Sequence, residues 1–386
     1  MDLAEIIRTH ADAYQKAYPL SFEALKVINA LTKCRTSELG AHMDRCGTCG
    51  WEREYYNSCR NRHCPKCGSS AREKWLLSRK RDLLPVMYFH VVLTLPDELN
   101  PLVLQNKREI YAILFRAGSE TLLDLGRDPR HLGGQIGFIA MLHTWGQNLL
   151  DHPHLHCIVP CGGLSEDGKR WIHAKRKRNG QSFFVHVDVI SDLFKKKFLA
   201  YFRESCRLGR IRFCGKTEHL LSKKILASFF RMLYKRKWVT YCKEALQGSD
   251  KVMDYLGRYA YRVAISENRI ISMENGKVTF SWKDYRDGQR KQMPLDAVEF
   301  IRRFLLHVLP EGFFRIRYYG ILSSRNAKTK LRLCRELLKY LEFDFDRPID
   351  WRMLFFKVTG RTLRLCSECG MGIIVTVLWN HSPPMK

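Results

Sequence analysis

Residues Asp151 to Pro160 read DHPHLHCIVP, and this stretch constrains the fold more than any other in the chain. An apolar run, Cys157, Ile158 and Val159, follows two histidines, and Pro153 stands near the start, where a strand tolerates proline. Alternate side chains of a strand share a face, so His154 and His156 point the same way, flanking the bulky Leu155. Their Cα atoms lie roughly 7 Å apart at the usual strand rise. Two imidazoles so placed can converge on one divalent ion; two surface histidines on an edge strand are the alternative. His152 shares the face but stands about 13 Å from His156.

Paired cysteines make a second constraint. Cys46 and Cys49 form one CxxC, and Cys64 and Cys67 form another after fourteen intervening residues; Gly50 and Gly68 follow the pairs. Thiolates presented from such tight turns reach one ion, so these four are expected to hold a structural Zn²⁺ tetrahedrally. His42, Cys59 and His63 are extra donors nearby. Basic side chains stud the module, Arg60 and Arg62 among them, as expected of a surface that grips phosphates, with solvated charge as the alternative for each.

Charge sets the expected partner. Lysine and arginine total 66 against 39 acidic residues, a formal net charge of +27, which favours a polyanion, nucleic acid first. A membrane surface competes, but no window approaches the 18 apolar residues of a spanning helix. The first residues show no signal-peptide pattern. Fourteen cysteines then imply a reducing compartment and a metal or core role rather than disulfides. The expectation is a globular cytoplasmic, nucleoid-associated protein without membrane contact.

Periodicity predicts helices within 2–33, with Ser21 as an N-cap, then a basic helix over 71–84 and a strand over 88–95. A long helix (101–125) and a strand (135–145) follow. The densest basic run, HAKRKR at 173–178, includes Lys175 and Arg176. Helices are expected over 192–207 and 217–246, and a strand over 263–266. Hairpins with an Asn275–Gly276 turn come next, then a helix (295–306), a strand (313–322) and a helix (328–341). In DYLGRYAYRVAIS (254–266), Tyr255 and Tyr259 are four apart and share one helix face about 6 Å apart along the axis. Such a pair serves packing or chemistry; Arg258 beside it suits phosphate or solvent.

Together, LHTWGQ (142–147), the His-Leu-His strand, CIVPCGG (157–163), YLGRY (255–259) and NSCRNRHCPKC (57–67) resemble the two-tyrosine HUH transposases of rolling-circle insertion sequences, the IS91 family. The resemblance covers about residues 10 to 370. It implies an α+β fold: an HUH-type nuclease core with a central antiparallel sheet flanked by helices, plus a small N-terminal zinc-binding module. It also implies Mg²⁺ or Mn²⁺ chemistry on single-stranded DNA at insertion-sequence ends. His154 and His156 become paired metal ligands, and Tyr255 and Tyr259 nucleophiles that form a 5′-phosphotyrosine. A third ligand is expected and stays open: His143 is either that ligand or a packed strand-end histidine, and Gln147 and His152 are weaker candidates. Tyr261 departs from the family, where histidine is expected. Cys366 and Cys369 resemble a C-terminal knuckle, either a metal half-site or inert.

The implied organisation is N-terminal helices (1–35), a zinc module with its basic helix (36–84), a nuclease domain (85–345, with 163–250 a basic insertion) and a C-terminal segment (346–386). A dimer is one possible assembly. The rival readings are a non-catalytic zinc-dependent DNA-binding protein and a replication initiator or relaxase with the same core. A zinc hydrolase or deaminase is disfavoured, since neither HExxH nor H-x-E with P-C-x-x-C occurs.

Overall fold

The computed structural model describes residues 2–67, 72, 75–76, 78–79, 82–176, 178, 182–246, 248–259, 263–284, 286–340 and 365–377. Fifteen strands and nine α-helices are named among them. The strands are β1 (Ala41–Cys46), β2 (Glu52–Tyr56), β3 (Tyr88–Thr94), β4 (Gly137–Trp145), β5 (Asp151–Pro160), β6 (Gly162–Leu164), β7 (Trp171–His173), β8 (Lys175–Arg176) and β9 (Ser182–Phe183). They continue as β10 (Thr240–Leu246), β11 (Ile270–Glu274), β12 (Lys277–Lys283), β13 (Arg290–Asp296), β14 (Ile316–Gly320) and β15 (Ile374–Val377). The helices are α1 (Leu3–Ala17), α2 (Phe22–Thr32), α3 (Asn100–Gln105), α4 (Lys107–Arg127), α5 (Val187–Arg207), α6 (Lys223–Lys235), α7 (Gly248–Tyr259), α8 (Ala297–Leu306) and α9 (Lys330–Leu337).

The central sheet runs β10-β3-β5-β4-β14, antiparallel throughout, with the histidine strand in the middle. Its two faces follow from the alternation of each strand. Phe89, Val91, Leu93, Phe138, Ala140, Leu142, Leu155, Cys157 and Val159 line one face, a continuous core with residues of α4 and α5. Gly118 of α4 permits this contact, because a Cβ there would lie 2.9 Å from Leu93 Cδ1 and 3.1 Å from Leu155 Cδ1. On the other face Tyr88, Ile139, Met141 and Ile158 meet Val252, Tyr255 and Leu256 of α7 and Leu331 and Cys334 of α9. Burial of this kind contributes roughly 1.5–3 kcal/mol per large apolar side chain. The mixed α/β architecture, antiparallel sheets flanked by helices beside an N-terminal cysteine cluster, is the one the sequence implies.

Helix α1 starts where the Asp2 carboxylate accepts from the Glu5 amide, and α2 where the Ser21 hydroxyl accepts from Ala24. Both pack on α8 and the β11–β13 sheet through Leu3, Ile7, Ile28, Phe280, Phe300 and Phe304. The β11–β12 turn places Asn275 and Gly276 at positive φ, the backbone that an Asn-Gly pair accepts.

The long helix expected over 101–125 is interrupted at Asn106 into α3 and α4, and two further expected elements change type. The helix expected over 217–246 ends at Lys235, and the chain continues as β10. Trp238 explains the break: it is buried against Phe194 and Phe198, and its indole N–H donates to the Leu233 carbonyl at 3.1 Å. The β-branched and aromatic residues that follow, Val239 to Tyr241, then add an edge to β3. Residues 263–266 form no strand; Ala264 and Ile265 are buried among the N-terminal helices instead.

Candidate active site

Register builds the site. His143 of β4 lies directly opposite His154 of β5, and directly opposed residues in an antiparallel pair share a face. His156 follows two residues on, and His90 sits two residues before Val92, its partner on β3. Four histidines therefore occupy one face of three adjacent strands, on the side covered by α7.

Ring nitrogens of His143, His154 and His156 all lie within 4.8 Å of one another. His154 Nε2 is 3.0 Å from His156 Nε2, and His154 Nδ1 is 2.5 Å from the His152 carbonyl. That carbonyl can only accept, so His154 carries its proton on Nδ1 and presents the Nε2 lone pair to the centre. His143 is 4% exposed and stacks on Trp145 with ring centroids 4.9 Å apart. The donor set fits a divalent ion. Three imidazoles with no carboxylate among them suit a transition-metal cation, Mn²⁺ included, better than Mg²⁺, which prefers oxygen. Of the alternative third donors, His152 does not join the group: its ring turns toward Asp97, 3.9 Å away.

Helix α7 delivers Tyr255 to the opposite edge of His156. Its hydroxyl is 2.9 Å from His156 Nδ1 and 2.6 Å from His90 Nε2, and those two nitrogens are 2.9 Å apart. Burial pulls His90 down to about 4, so its ring is neutral. One proton assignment satisfies the network and keeps His156 Nε2 unprotonated, as a metal ligand must be. His156 Nδ1–H donates to the tyrosine oxygen, and the tyrosine O–H donates to His90 Nε2. Sequence reasoning missed His90, whose only signal is its position on the histidine face of the neighbouring strand. Tyr259 and Arg258 lie in α7 by their backbone; their side chains, and Tyr261 altogether, fall outside the described residues.

The structure divides the four cysteines expected around one zinc. Cys64 and Cys67 gather with Cys34 and Cys59, with Sγ–Sγ separations of 3.7, 3.4 and 3.6 Å for Cys34–Cys64, Cys34–Cys67 and Cys59–Cys67. Cys46 and Cys49 gather with Cys366 and Cys369. The reason is the β1–β2 hairpin, which puts its turn, with Cys46 and Cys49, at one end and returns the chain to the other before Cys59. A tetrahedron with ~2.3 Å metal–sulfur bonds has edges of about 3.8 Å, so both clusters suit structural zinc. His63 belongs to neither. It is half-buried, and that burial together with the charges of Arg62, Arg315 and Lys107 pulls it down to about 3. Cys34 carried no motif in the sequence; it enters because α2 ends beside the second knuckle.

Of the expected DNA contacts, Arg60 is exposed at φ 51°, and Lys175 and Arg176 are exposed on β8. Lys175 Nζ donates to the Arg130 carbonyl at 2.8 Å. Arg62 is committed elsewhere: it donates to the carbonyls of Phe313 and Pro310 at 2.8 and 3.2 Å, tying the cysteine module to the loop before β14. Among the described residues, no helix is long and apolar enough to cross a membrane.

Comparison with known proteins gives two family matches. Residues 137–330 match a family model described as "Putative transposase", and residues 6–95 one described as "Transposase zinc-binding domain". The chain is 46% identical over 381 residues to "Putative transposase y4qJ" of Sinorhizobium fredii, covering 97% of this chain and 94% of that one. It is 26% identical over 321 residues to the transposase for insertion sequence element IS801 of Pseudomonas savastanoi pv. phaseolicola, covering 82% and 74%. No solved structure matches.

Proposed function

Since the chain belongs to the IS91 family of transposases, with an N-terminal zinc-binding domain, we propose that it nicks and rejoins single-stranded DNA at insertion-sequence ends through Tyr255. Tyr259, one helical turn on, is the candidate for a second such link. The observation that carries this reading is the contact between the Tyr255 hydroxyl and His156, an imidazole whose other nitrogen faces His154.

His143, His154 and His156 are the residues to hold a divalent cation, which when bound supplies polarisation of the scissile phosphate and neutralises its developing charge. The chain's own groups do the rest. At rest the Tyr255 phenol is held by His156 Nδ1–H and by His90 Nε2, at an edge of His156 away from the ligand nitrogen. Attack requires it to leave these bonds, and His90, neutral through burial, is the nearest acceptor for its proton. The Tyr255 oxygen bonds to phosphorus, the bond from phosphorus to the 3′-oxygen breaks, and that oxygen leaves as a 3′-hydroxyl with a proton from solvent, which takes back the one His90 received. The 5′-phosphotyrosine conserves the bond, so a 3′-hydroxyl on another strand can reverse the step without a nucleotide cofactor. The excess of basic residues supplies the sequence-independent part of DNA binding.

The test is covalent capture. Labelled single-stranded DNA carrying an element end, incubated with the protein and Mn²⁺, should migrate as an adduct, and peptide mass spectrometry should find the nucleotide on Tyr255. An unmodified Tyr255, or no adduct with any divalent ion, overturns the proposal and favours a protein that binds DNA without cutting it.

A further inference from the structure

We infer that Cys46, Cys49, Cys366 and Cys369 form a second zinc site, split between the two ends of the chain, which fastens β15 onto the N-terminal zinc-binding domain. The family match for that domain ends at residue 95, so half of the site lies far outside it. The inference is independent of the nicking chemistry.

The two halves are built alike. CGTCG (46–50) and CSECG (366–370) each close a turn in which the glycine amide donates to the carbonyl of the first cysteine, at 3.1 Å for Gly50 and 2.9 Å for Gly370. Both glycines sit in the left-handed region, at φ 70° and 67°, where a side chain is disfavoured. In each half a backbone amide is directed at sulfur: Thr48 N is 3.4 Å from Cys46 Sγ and Gly372 N is 3.2 Å from Cys369 Sγ. Such amides favour the thiolate, the form that binds metal.

The halves face each other. Cys46 and Cys369 sulfurs are 3.8 Å apart, and those of Cys49 and Cys366 are 3.7 Å apart. These are the edges of a tetrahedron with ~2.3 Å zinc–sulfur bonds. No disulfide is formed, since all four are free thiols. Gly372 backs the cluster so closely that a Cβ there would fall 2.1 Å from Cys46 Sγ. The backbone agrees with the metal: β15 pairs with β1 from Met43–Val377 to Cys46–Ile374, and the Thr376 hydroxyl donates to Asp44 at 2.7 Å. β15 itself buries little, with Val375 and Val377 about half exposed, so apolar packing cannot hold it in place. Four thiolates around a thiophilic divalent cation can.

The test uses the full chain as purified with zinc. Atomic emission should find one zinc ion fewer per chain in Cys366→Ser/Cys369→Ser than in the wild type, whatever the histidine centre holds in both. In the variant, hydrogen exchange of the 374–377 segment should lose its protection while β4 and β5 keep theirs. Should the variant fail to fold, stepwise mercurial titration of the wild type with a chromogenic chelator counts the released zinc directly. Equal zinc content in the two chains, or mercurial release of the zinc of one thiolate site only from the wild type, overturns the inference.

Discussion

The hydroxyl of Tyr255 lies 2.9 Å from Nδ1 of His156, so the candidate nucleophile touches a proposed ligand imidazole on the edge away from His154. Helix and sheet are thereby coupled through a single ring. Whatever turns that ring would move the phenol and any cation the proposed site holds.

Tyr255→Phe keeps the packing of α7 but removes the oxygen. Adduct formation on single-stranded DNA is expected to fall at least ~100-fold, about 2.7 kcal/mol in the barrier. Equilibrium DNA affinity should stay within about twofold, because the charges that set it are untouched. Gel quantification of adduct alongside a fluorescence-anisotropy titration checks both halves.

The all-imidazole donor set predicts metal preference. Adduct formation should be faster, and binding tighter, with Mn²⁺ than with Mg²⁺. His154→Ala removes one of the three donors and should weaken Mn²⁺ binding by more than tenfold, read by calorimetry or by the electron paramagnetic resonance signal of free Mn²⁺. An unchanged titration would remove His154 from the site.

Gly118 reaches the same centre from behind. Gly118→Val would press on Leu155, the residue between the two ligand histidines, and on Leu93. Overpacking of this sort costs about 1–3 kcal/mol. We expect a lower Tm and a severalfold loss of Mn²⁺ affinity, although the substitution lies on the opposite face of the sheet. Gly118→Ala should show the same effects in weaker form.

His307 gives the pH dependence. Its Nε2–H donates to the Leu149 carbonyl at 3.0 Å, and its Nδ1 accepts from the Thr144 hydroxyl at 3.2 Å. Burial holds it down at about 4, against 6.5 for the free side chain. The unfolded chain therefore takes up the proton first as pH falls. The stability tied to the neutral ring is complete above pH 6.5 and is lost progressively down to pH 4, on the order of 3 kcal/mol. Nearby Asp151, pushed up to about 6 by burial, has the opposite sign but remains in both chains when wild type is compared with His307→Gln. Denaturant titrations across pH 4–7 should show the steeper loss in the wild type.

Much of this arrangement was legible because strands have a period of two. His154, His156 and the core-facing Leu155 follow from alternation alone, and the antiparallel neighbour placing His143 opposite His154 needed only a short connection between two apolar runs. His90 was not legible: its side of the sheet depends on the register of β3 against β5, which no local pattern fixes. The cysteine partners failed for a related reason. Spacing shows that a CxxC makes half a site, but the other half is chosen by the path of the hairpin between Cys49 and Cys59 and by where α2 leaves Cys34. Arg62 reads as a phosphate contact in any basic stretch, and only the folded chain reveals the two carbonyls that occupy it.

The pairing of β15 with β1 also has a temporal side. During synthesis the amino-terminal sheet emerges from the ribosome early, yet it waits for its third strand until residues 374–377 have been translated. A message broken before that point would yield a protein with every histidine of the centre and an unfinished sheet at its front, so an intact reading frame is written into the architecture itself.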